Sequence, residues 1–209
     1  MHAIIAAGSL GRMVASILQA QKRDIIGFYD DDESKKGTKI DGIEVKGTTE
    51  ELLSIEEKPV VIIAIGIGNE ELRKKIFAKF ENSGFHFGTA IHQSAMIQNS
   101  DIGKNVIIKE LALIEVRAII GDNTEIGERA NIGHDCVIGK HCSIGPGVNM
   151  AGKVLVGDKT MIGIGATIVE GTKIGANCHI GAGAIITHDI PDNSSAIAVP
   201  PKIVTFKDK

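Results

Sequence analysis

His134, one of seven histidines, stands beside a carboxylate within a repeating stretch, Ile132-Gly133-His134-Asp135-Cys136-Val137. An imidazole titrates near neutral pH and can act as a general base. An adjoining carboxylate would raise its basicity and fix its orientation. The alternative is a solvated turn histidine beside an ordinary turn aspartate. His141 and His179 fall at other phases of the repeat, and His188 shares the phase of His134 but lies three coils on, roughly 14 Å away at strand spacing. The histidines therefore do not converge, and no zinc site is expected. No Ser or Cys nucleophile signature is present.

A second candidate lies near the start, where Ala3 to Ala7 reads as a strand, Gly8-Ser9-Leu10-Gly11 as a turn and Arg12 to Gln21 as a helix. This is a degenerate phosphate-binding turn, in which glycines let backbone N–H groups approach a phosphate at a helix N-terminus. The full GxGxxG is missing. A second strand, Ile25 to Tyr29, runs into Asp30 and Asp31, and a third, Val60 to Ile65, ends at Gly66. Ligands of open α/β sheets bind beyond the carboxyl ends of strands, where a carboxylate could accept hydrogen bonds from a ribose or a base N–H. A ligand-free tight turn and a solvated acidic loop are the competing explanations.

Two kinds of element must position these residues. From Ile102 to Ile186, every sixth residue is large and aliphatic in fifteen consecutive frames, and thirteen of these are Ile. The next residue is Gly in ten frames, and the fifth position is small or β-branched, including all three Cys. A helix would scatter such a set around its surface. A β-solenoid stacks it instead, with one short strand and one turn per hexad, the aliphatic residue inward, the small residue at the corner and glycine supplying a permissive backbone. Fifteen hexads make about five three-sided coils, with the cysteines as core filler. The first 90 residues alternate β-turn-α-β, with Glu50 to Leu53 a short helix capped by Thr48-Thr49 and Glu70 to Asn82 a longer one, which argues for a small parallel α/β unit. Ser83 to Thr89 is the expected connection. After Ile190 the prolines 191, 200 and 201 are expected to take the chain out of the solenoid into a capping strand or hairpin.

Composition removes other classes. Lys and Arg number 23 against 26 Asp and Glu, a net charge of −3, so there is no electrostatic case for nucleic acid or an anionic membrane. Aromatics are 3%, too few for a base-stacking platform. No apolar run approaches the roughly 20 residues of a membrane span, and the start lacks the basic segment of a secretory signal. Three Cys, an odd count, point to a reducing compartment and a cytoplasmic location rather than a disulfide framework.

Taken together, the hexads with GHDCVIG, the strand-GxxG-helix, the GFYDDD strand end and the AIG…ELRKKI segment resemble bacterial nucleotide-linked amino-sugar acetyltransferases of the left-handed β-helix, hexapeptide-repeat family. Sialic acid O-acetyltransferases are close relatives of that subfamily. The C-terminal AVPPKIV is similar to the family's GVPAK ending. The resemblance implies a Rossmann-like α/β nucleotide-sugar-binding domain over residues 1–90 and a left-handed parallel β-helix with a C-terminal cap over 91–209. It implies Leu10, Gly11 and Arg12 at the phosphate-facing turn, Asp30, Asp31 and Gly66 at the base and ribose, His134 as catalytic base and Asp135 as its tuning carboxylate. Acetyl-CoA would lie in a solenoid groove between two subunits of a homotrimer, touching Ser143, Gly152, Ile164 and Ala182. No metal is implied.

The activity implied is N-acetylation of a UDP- or dTDP-linked 4-amino-sugar for surface glycans, by direct transfer, with solenoid backbone N–H groups stabilising the oxyanion. The chain departs from the family at Ile126-Gly127-Glu128-Arg129-Ala130, where close members carry an Asn seven residues before the catalytic His, so Glu128 and Arg129 could read a different sugar. At Arg12 it departs again, placing a cation where the family has His, which could pair with a diphosphate. Sugar O-acetylation and a non-catalytic scaffold are the alternatives.

Overall fold

The computed structural model describes residues 1–199. Its first part runs β1 (His2–Ile5), α1 (Ser9–Ala20), β2 (Ile25–Tyr29), β3 (Lys39–Ile40), β4 (Ile43–Gly47), α2 (Thr49–Leu53), β5 (Val60–Ile63) and α3 (Glu70–Asn82). The sheet order is β3-β4-β2-β1-β5, parallel except for the β3–β4 hairpin. Successive strand residues face opposite sides. Ile4, Phe28 and Ile62 therefore pack under Val14, Ile17 and Leu18 of α1, whereas Ala3, Ile5, Val61 and Ile63 pack under Leu52 of α2 and Phe77 and Phe80 of α3. Thr48 caps α2 in a capping box with Glu51.

Two local expectations are corrected. The stretch Ser9-Leu10-Gly11 is not a turn but the first turn of α1, because Gly8 alone takes the extended cap conformation. The β3–β4 hairpin, absent from the sequence reading, closes through Asp41-Gly42, both at positive φ (49° and 82°), as a two-residue hairpin loop requires.

The second part is a left-handed parallel β-helix of two-residue strands in three sheets of seven, six and five strands. Face one holds strands such as Ile107–Ile108, Glu125–Ile126 and Ser143–Ile144. Face two holds Leu113–Ile114, Asn131–Ile132 and Asn149–Met150. Face three holds Ile119–Ile120, Val137–Ile138 and Leu155–Val156. From Asp101 to Ile186 each strand pairs in parallel with the residues 18 positions away, as Ile114 does with Ile132, whereas the first coil pairs at 17 and the last at 16. The inward Ile of each coil and the fifth-position residues form one continuous buried core. Cys136 and Cys142 belong to it, and burial pushes their thiols up to about 11 and about 12, out of reach as nucleophiles.

The column is longer than the period from Ile102 suggests. It starts at Ala90–Ile91 and Met96–Ile97, where a five-residue step to Ile102 hides the period. It also continues where an exit was expected: Ile190 bridges Ile174, and Ser195–Ala196 pairs in parallel with His179–Ile180. Six full coils result, not five. The stretch from Pro200, with most of the AVPPKIV motif, lies outside the described residues.

Glycine's place in the hexad also differs from expectation. The left-handed backbone falls at the fourth position, mostly on other residues: Asn105, Arg117, Asn123, Asp135, His141 and Lys153 all have φ between 52° and 61°. Glycine at the second position serves close approach instead. A Cβ on Gly133 would lie 2.6 Å from the carbonyl carbon of Ala151 in the next coil, so a side chain there would push the coils apart.

The two parts are joined at face one. Arg73 of α3 is 2% exposed. Its guanidinium donates to the carbonyls of Ile65 (3.1 Å), His141 (3.3 Å) and Cys142 (2.9 Å), to Ser143 Oγ (2.9 Å) and to Glu125 (3.4 Å). On the outer edge of β5, Val61 bridges Phe87 and Asn105 accepts from the Ile63 N–H at 2.8 Å, so that Asn105 covers a position that would otherwise be open to pairing.

Candidate active site

A cavity of about 560 Å³ opens at the carboxyl ends of β1, β2 and β5 and is closed on one side by Lys109 and Glu125 of the β-helix. No side chain caps the first amides of α1 and no acidic residue lies in its first turn. These N–H groups face the cavity beside Gly8, Ser9 and Leu10, a seat for an anionic group at a helix N-terminus. Gly11 does not line the cavity; a Cβ there would lie 2.1 Å from the Ala6 carbonyl oxygen, so its part is to seat α1 against the end of β1. Ala6 itself is held at φ 75°, and the turn that follows delivers the Ala7 N–H to Asp30.

Asp30 and Asp31 both reach the cavity, and both also build the loop behind it. Asp30 accepts from the N–H of Ala7 (2.8 Å) and Asp32 (3.0 Å) and from Lys35 Nζ (2.9 Å). Burial alone would raise its pKa, but these donors outweigh it and hold the carboxyl below its ordinary range. Asp31 accepts from the N–H and hydroxyl of Thr49, each at 2.8 Å. Gly66 lines the opposite wall.

Arg12 is placed elsewhere. It is more than half exposed and forms a two-pronged pair with Asp41 of the hairpin turn, at 2.8 and 3.2 Å, outside the cavity lining. The cations at the cavity are Lys35 and Lys109, which the sequence reading did not single out. Lys109 is identifiable only through its coil neighbour, pairing at 2.8 Å with Glu125.

Changing Asp30 and Asp31 together to Asn is expected to raise the KM for a nucleotide-sugar by roughly 10-fold or more, the loss of charged hydrogen bonds. The KM for acetyl-CoA should not change. Steady-state kinetics with each substrate varied in turn check this, and an equal rise in both would contradict separate sites.

His134 and Asp135 sit together at the corner between faces two and three. His134 Nδ1 is 2.8 Å from Asp135 Oδ2, and the His134 backbone N–H donates to Glu115 at 2.9 Å. Arg117, one coil earlier, grips both oxygens of Asp135 at 2.6 and 2.9 Å. The hydrogen bonds from Arg117 and then His134 hold the Asp135 carboxyl far below the usual carboxylate range, so it stays ionised. Nε2 has no hydrogen-bond partner among the described residues and lies over Gly152, where a Cβ would come within 2.4 Å of it. Gly152 therefore makes room for the imidazole. Gly152→Ala is expected to displace the ring and lower kcat by about 10²-fold, the scale of an ångström-level misplacement, with unfolding temperature nearly unchanged. A kcat within twofold of wild type would contradict this arrangement.

The four residues expected around the acetyl donor divide. Gly152 shares the His134 corner. Ile164 and Ala182, 18 residues apart, share the corner between faces one and two, where an apolar groove of about 700 Å³ runs past Leu111, Glu128, Arg129, Pro146 and Ile164. The backbone N–H groups of Gly152, Ile164 and Ala182 have no acceptor among the described residues. At the third corner, by contrast, the equivalent amides of Lys104, Lys140 and Ala176 donate to Asp122, Asp158 and Asp192. Ser143 belongs to neither groove: it is fully buried on face one, with its hydroxyl accepting from Arg73. Among the described residues no group of three His, Cys, Asp or Glu is arranged to hold a metal ion, and no helix is long and apolar enough to cross a membrane.

Comparison with known proteins follows the same division. Residues 3–80 match the family described as PglD N-terminal domain, and residues 117–152 and 153–188 match the bacterial transferase hexapeptide (six repeats). A search of curated protein sequences gave no match. Among solved structures, a mutant perosamine N-acetyltransferase from Caulobacter crescentus, in complex with CoA and GDP-perosamine, superposes with TM-score 0.89 at 31% identity, over 98% of this chain and 97% of that one. The acetyltransferase domain of PglB from Neisseria gonorrhoeae FA1090, in complex with acetyl coenzyme A, gives TM-score 0.88 at 29% identity, over 97% of this chain and 98% of that one. WeeI from Acinetobacter baumannii AYE shares the fold at 19% identity and TM-score 0.69. With identity and coverage at these levels across both the α/β part and the β-helix, the chain belongs to the hexapeptide-repeat nucleotide-sugar acetyltransferases with a PglD-type N-terminal domain.

Proposed function

We propose that this enzyme transfers the acetyl group of acetyl-CoA to the amine of a nucleotide-linked 4-amino-sugar. The observation that carries the reading is the His134–Asp135 pair at 2.8 Å, with Nε2 turned away from its carboxylate and clear of other partners among the described residues. Asp135 holds the ring by Nδ1, so the second nitrogen is the one that takes a proton. The acceptor nitrogen attacks the thioester carbonyl carbon. The new C–N bond forms as that nitrogen gives its proton to Nε2, and the C–S bond then breaks as Nε2 passes that proton to the sulfur, releasing CoA as the thiol and restoring the neutral imidazole. No acyl-enzyme is required, in keeping with three buried cysteines, of which Cys136 and Cys142 are raised in pKa by that burial. Free amides of the Gly152 type supply donors for the oxyanion, and holding both substrates in place supplies most of the remaining rate.

The α/β part, residues 1–90, is assigned to the nucleotide-sugar. Its cavity offers helix N–H groups and Lys35 to the diphosphate, and Asp30 and Asp31 to base and ribose. That cavity lies against face one, and its lining includes no residue of the His134 corner. The acceptor held by one subunit would then meet a neighbour's base, and acetyl-CoA would lie between the His134 corner of one subunit and the Ile164–Ala182 corner of the next, in a trimer. Glu128 and Arg129, in the same groove as Ile164, are positioned to act on the substrates there.

The family resemblance implied UDP or dTDP as the carrier. The C. crescentus relative is bound to GDP-perosamine, so a GDP carrier is the competing outcome. The test is product mass after incubation with acetyl-CoA and a panel of UDP-, dTDP- and GDP-linked amino-sugars, with sialic acid as an O-acetyl acceptor. Acetylation of a UDP- or dTDP-amino-sugar supports the reading in full. Acetylation of a GDP-sugar alone corrects the carrier, product from sialic acid alone makes it an O-acetyltransferase, and no product from any acceptor overturns it.

A further inference from the structure

At two of the three corners, fourth-position side chains of successive coils bond to one another. Because these residues share one left-handed backbone conformation, their Cβ atoms leave the column in parallel, one coil apart. At the third corner this produces a stack in which Asn105 donates to Asn123 at 2.7 Å and Asn123 lies 2.8 Å from His141 Nδ1. At the His134 corner the same register holds Arg117, Asp135 and Lys153. Arg117 commits both prongs of its guanidinium to Asp135, whereas Lys153 turns to Glu170 at 2.9 Å. The carboxylate beside His134 is therefore shared with one cation.

We propose that Arg117 is a positioning residue for the His134–Asp135 pair: it fixes the carboxylate in the orientation that holds the imidazole and takes up part of its negative charge. The inference rests on His134 being the base. The forked geometry leaves Asp135 no free rotation, since Oδ1 and Oδ2 each receive one guanidinium N–H, and Oδ2 is also the oxygen that meets Nδ1. Other charged groups near the ring are Glu115, bonded to the His134 backbone N–H, and the Lys153–Glu170 pair on the following coils. The latter two bond to each other, which leaves Arg117 as the cation bound to the carboxylate. With the cation gone, Asp135 faces His134 alone, a proton on the ring is held more tightly, and the carboxylate is free to swing.

The test is Arg117→Met beside Arg117→Lys and His134→Gln, read by the kcat–pH profile and by NMR titration of the His134 imidazole, the resonance missing in H134Q. In R117M the acid limb of kcat and the imidazole titration should both move to higher pH, by roughly half to one unit for partly exposed groups, and the plateau kcat should fall about 3- to 10-fold through lost orientation. In R117K, which keeps the charge without the fork, the limb should stay near wild type while kcat remains reduced. An unmoved titration in R117M overturns the proposal, whether or not kcat falls, because a merely structural role would lower kcat without shifting the ring. If H134Q keeps wild-type kcat, the base assignment fails. If H134Q is inactive while the R117M titration is unmoved, the role of Arg117 fails alone.

Discussion

Replacing His134 with alanine is expected to lower kcat by about 10²–10⁴-fold, the range for removing a general base, and to leave the fold intact. The side chain sits at a corner and is 41% exposed, outside the stacked core of aliphatic and small residues, so its loss creates no buried cavity. The His134 backbone contacts, N–H to Glu115 and carbonyl from Lys153 at 2.8 Å, do not depend on the side chain. The measurement is kcat with both substrates saturating, alongside the thermal unfolding midpoint. Asp135 stays ionised because Arg117 and His134 hold its pKa far down, so it does not titrate in the working range. Wild-type activity should rise as pH rises through the imidazole titration, and the variant should lose that limb. A rate within a few-fold of wild type would remove the base assignment.

The largest effect on stability is expected at Arg73. Arg73→Met should cost about 3 kcal/mol, the low end for breaking a buried ion pair. For a chain of this size that is a fall in Tm of roughly 6–12 °C. Burial pulls the guanidinium below its usual pKa and Glu125 opposes that pull. The acceptors left behind are the point of the argument. Three carbonyls, Ser143 Oγ and Glu125 all lose a donor, and each buried unsatisfied group has its own cost. Two features place the value at the low end. Glu125 keeps Lys109 at 2.8 Å, and Arg73 Nε has no partner to begin with. Thermal or denaturant unfolding measures the effect. The double variant Arg73→Met with Glu125→Met should lose less than the sum of its parts, by about 1 kcal/mol. A fall in Tm under about 2 °C for the single variant would mean that α3 is not anchored to face one through this residue.

Some of what went unread was legible. Asp41-Gly42, between Lys39-Ile40 and Ile43, is the turn signature of a two-residue hairpin. Arg117 could have been found by subtracting one 18-residue coil from Asp135, since both occupy the fourth position. The same arithmetic, 18 added to 134, puts Gly152 on the His134 corner but does not say that its missing side chain is what admits the ring. Other assignments were not legible. Arg12 was expected at a phosphate, yet Asp41, brought close by that hairpin, takes its charge. Ser143 was expected beside acetyl-CoA, yet it lies on the face that α3 covers, and Arg73 claims its hydroxyl.

The sequence by itself determined the column and the alternation before it. A period of six is written residue by residue, and each coil meets a copy of its own pattern 18 residues on, so local order prescribes the stacking. It also determined that His134 and Asp135 adjoin, because neighbours in the chain need no fold to meet. Only the tertiary structure decided which of several available partners each charged side chain takes: Asp41 for Arg12, Glu125 and the coil carbonyls for Arg73, Asp135 for Arg117. The physical reason is competition. A long cationic side chain can reach acceptors on many sides, and its choice depends on which acceptors are desolvated and within about 3 Å, a matter of three-dimensional placement that no spacing along the chain records.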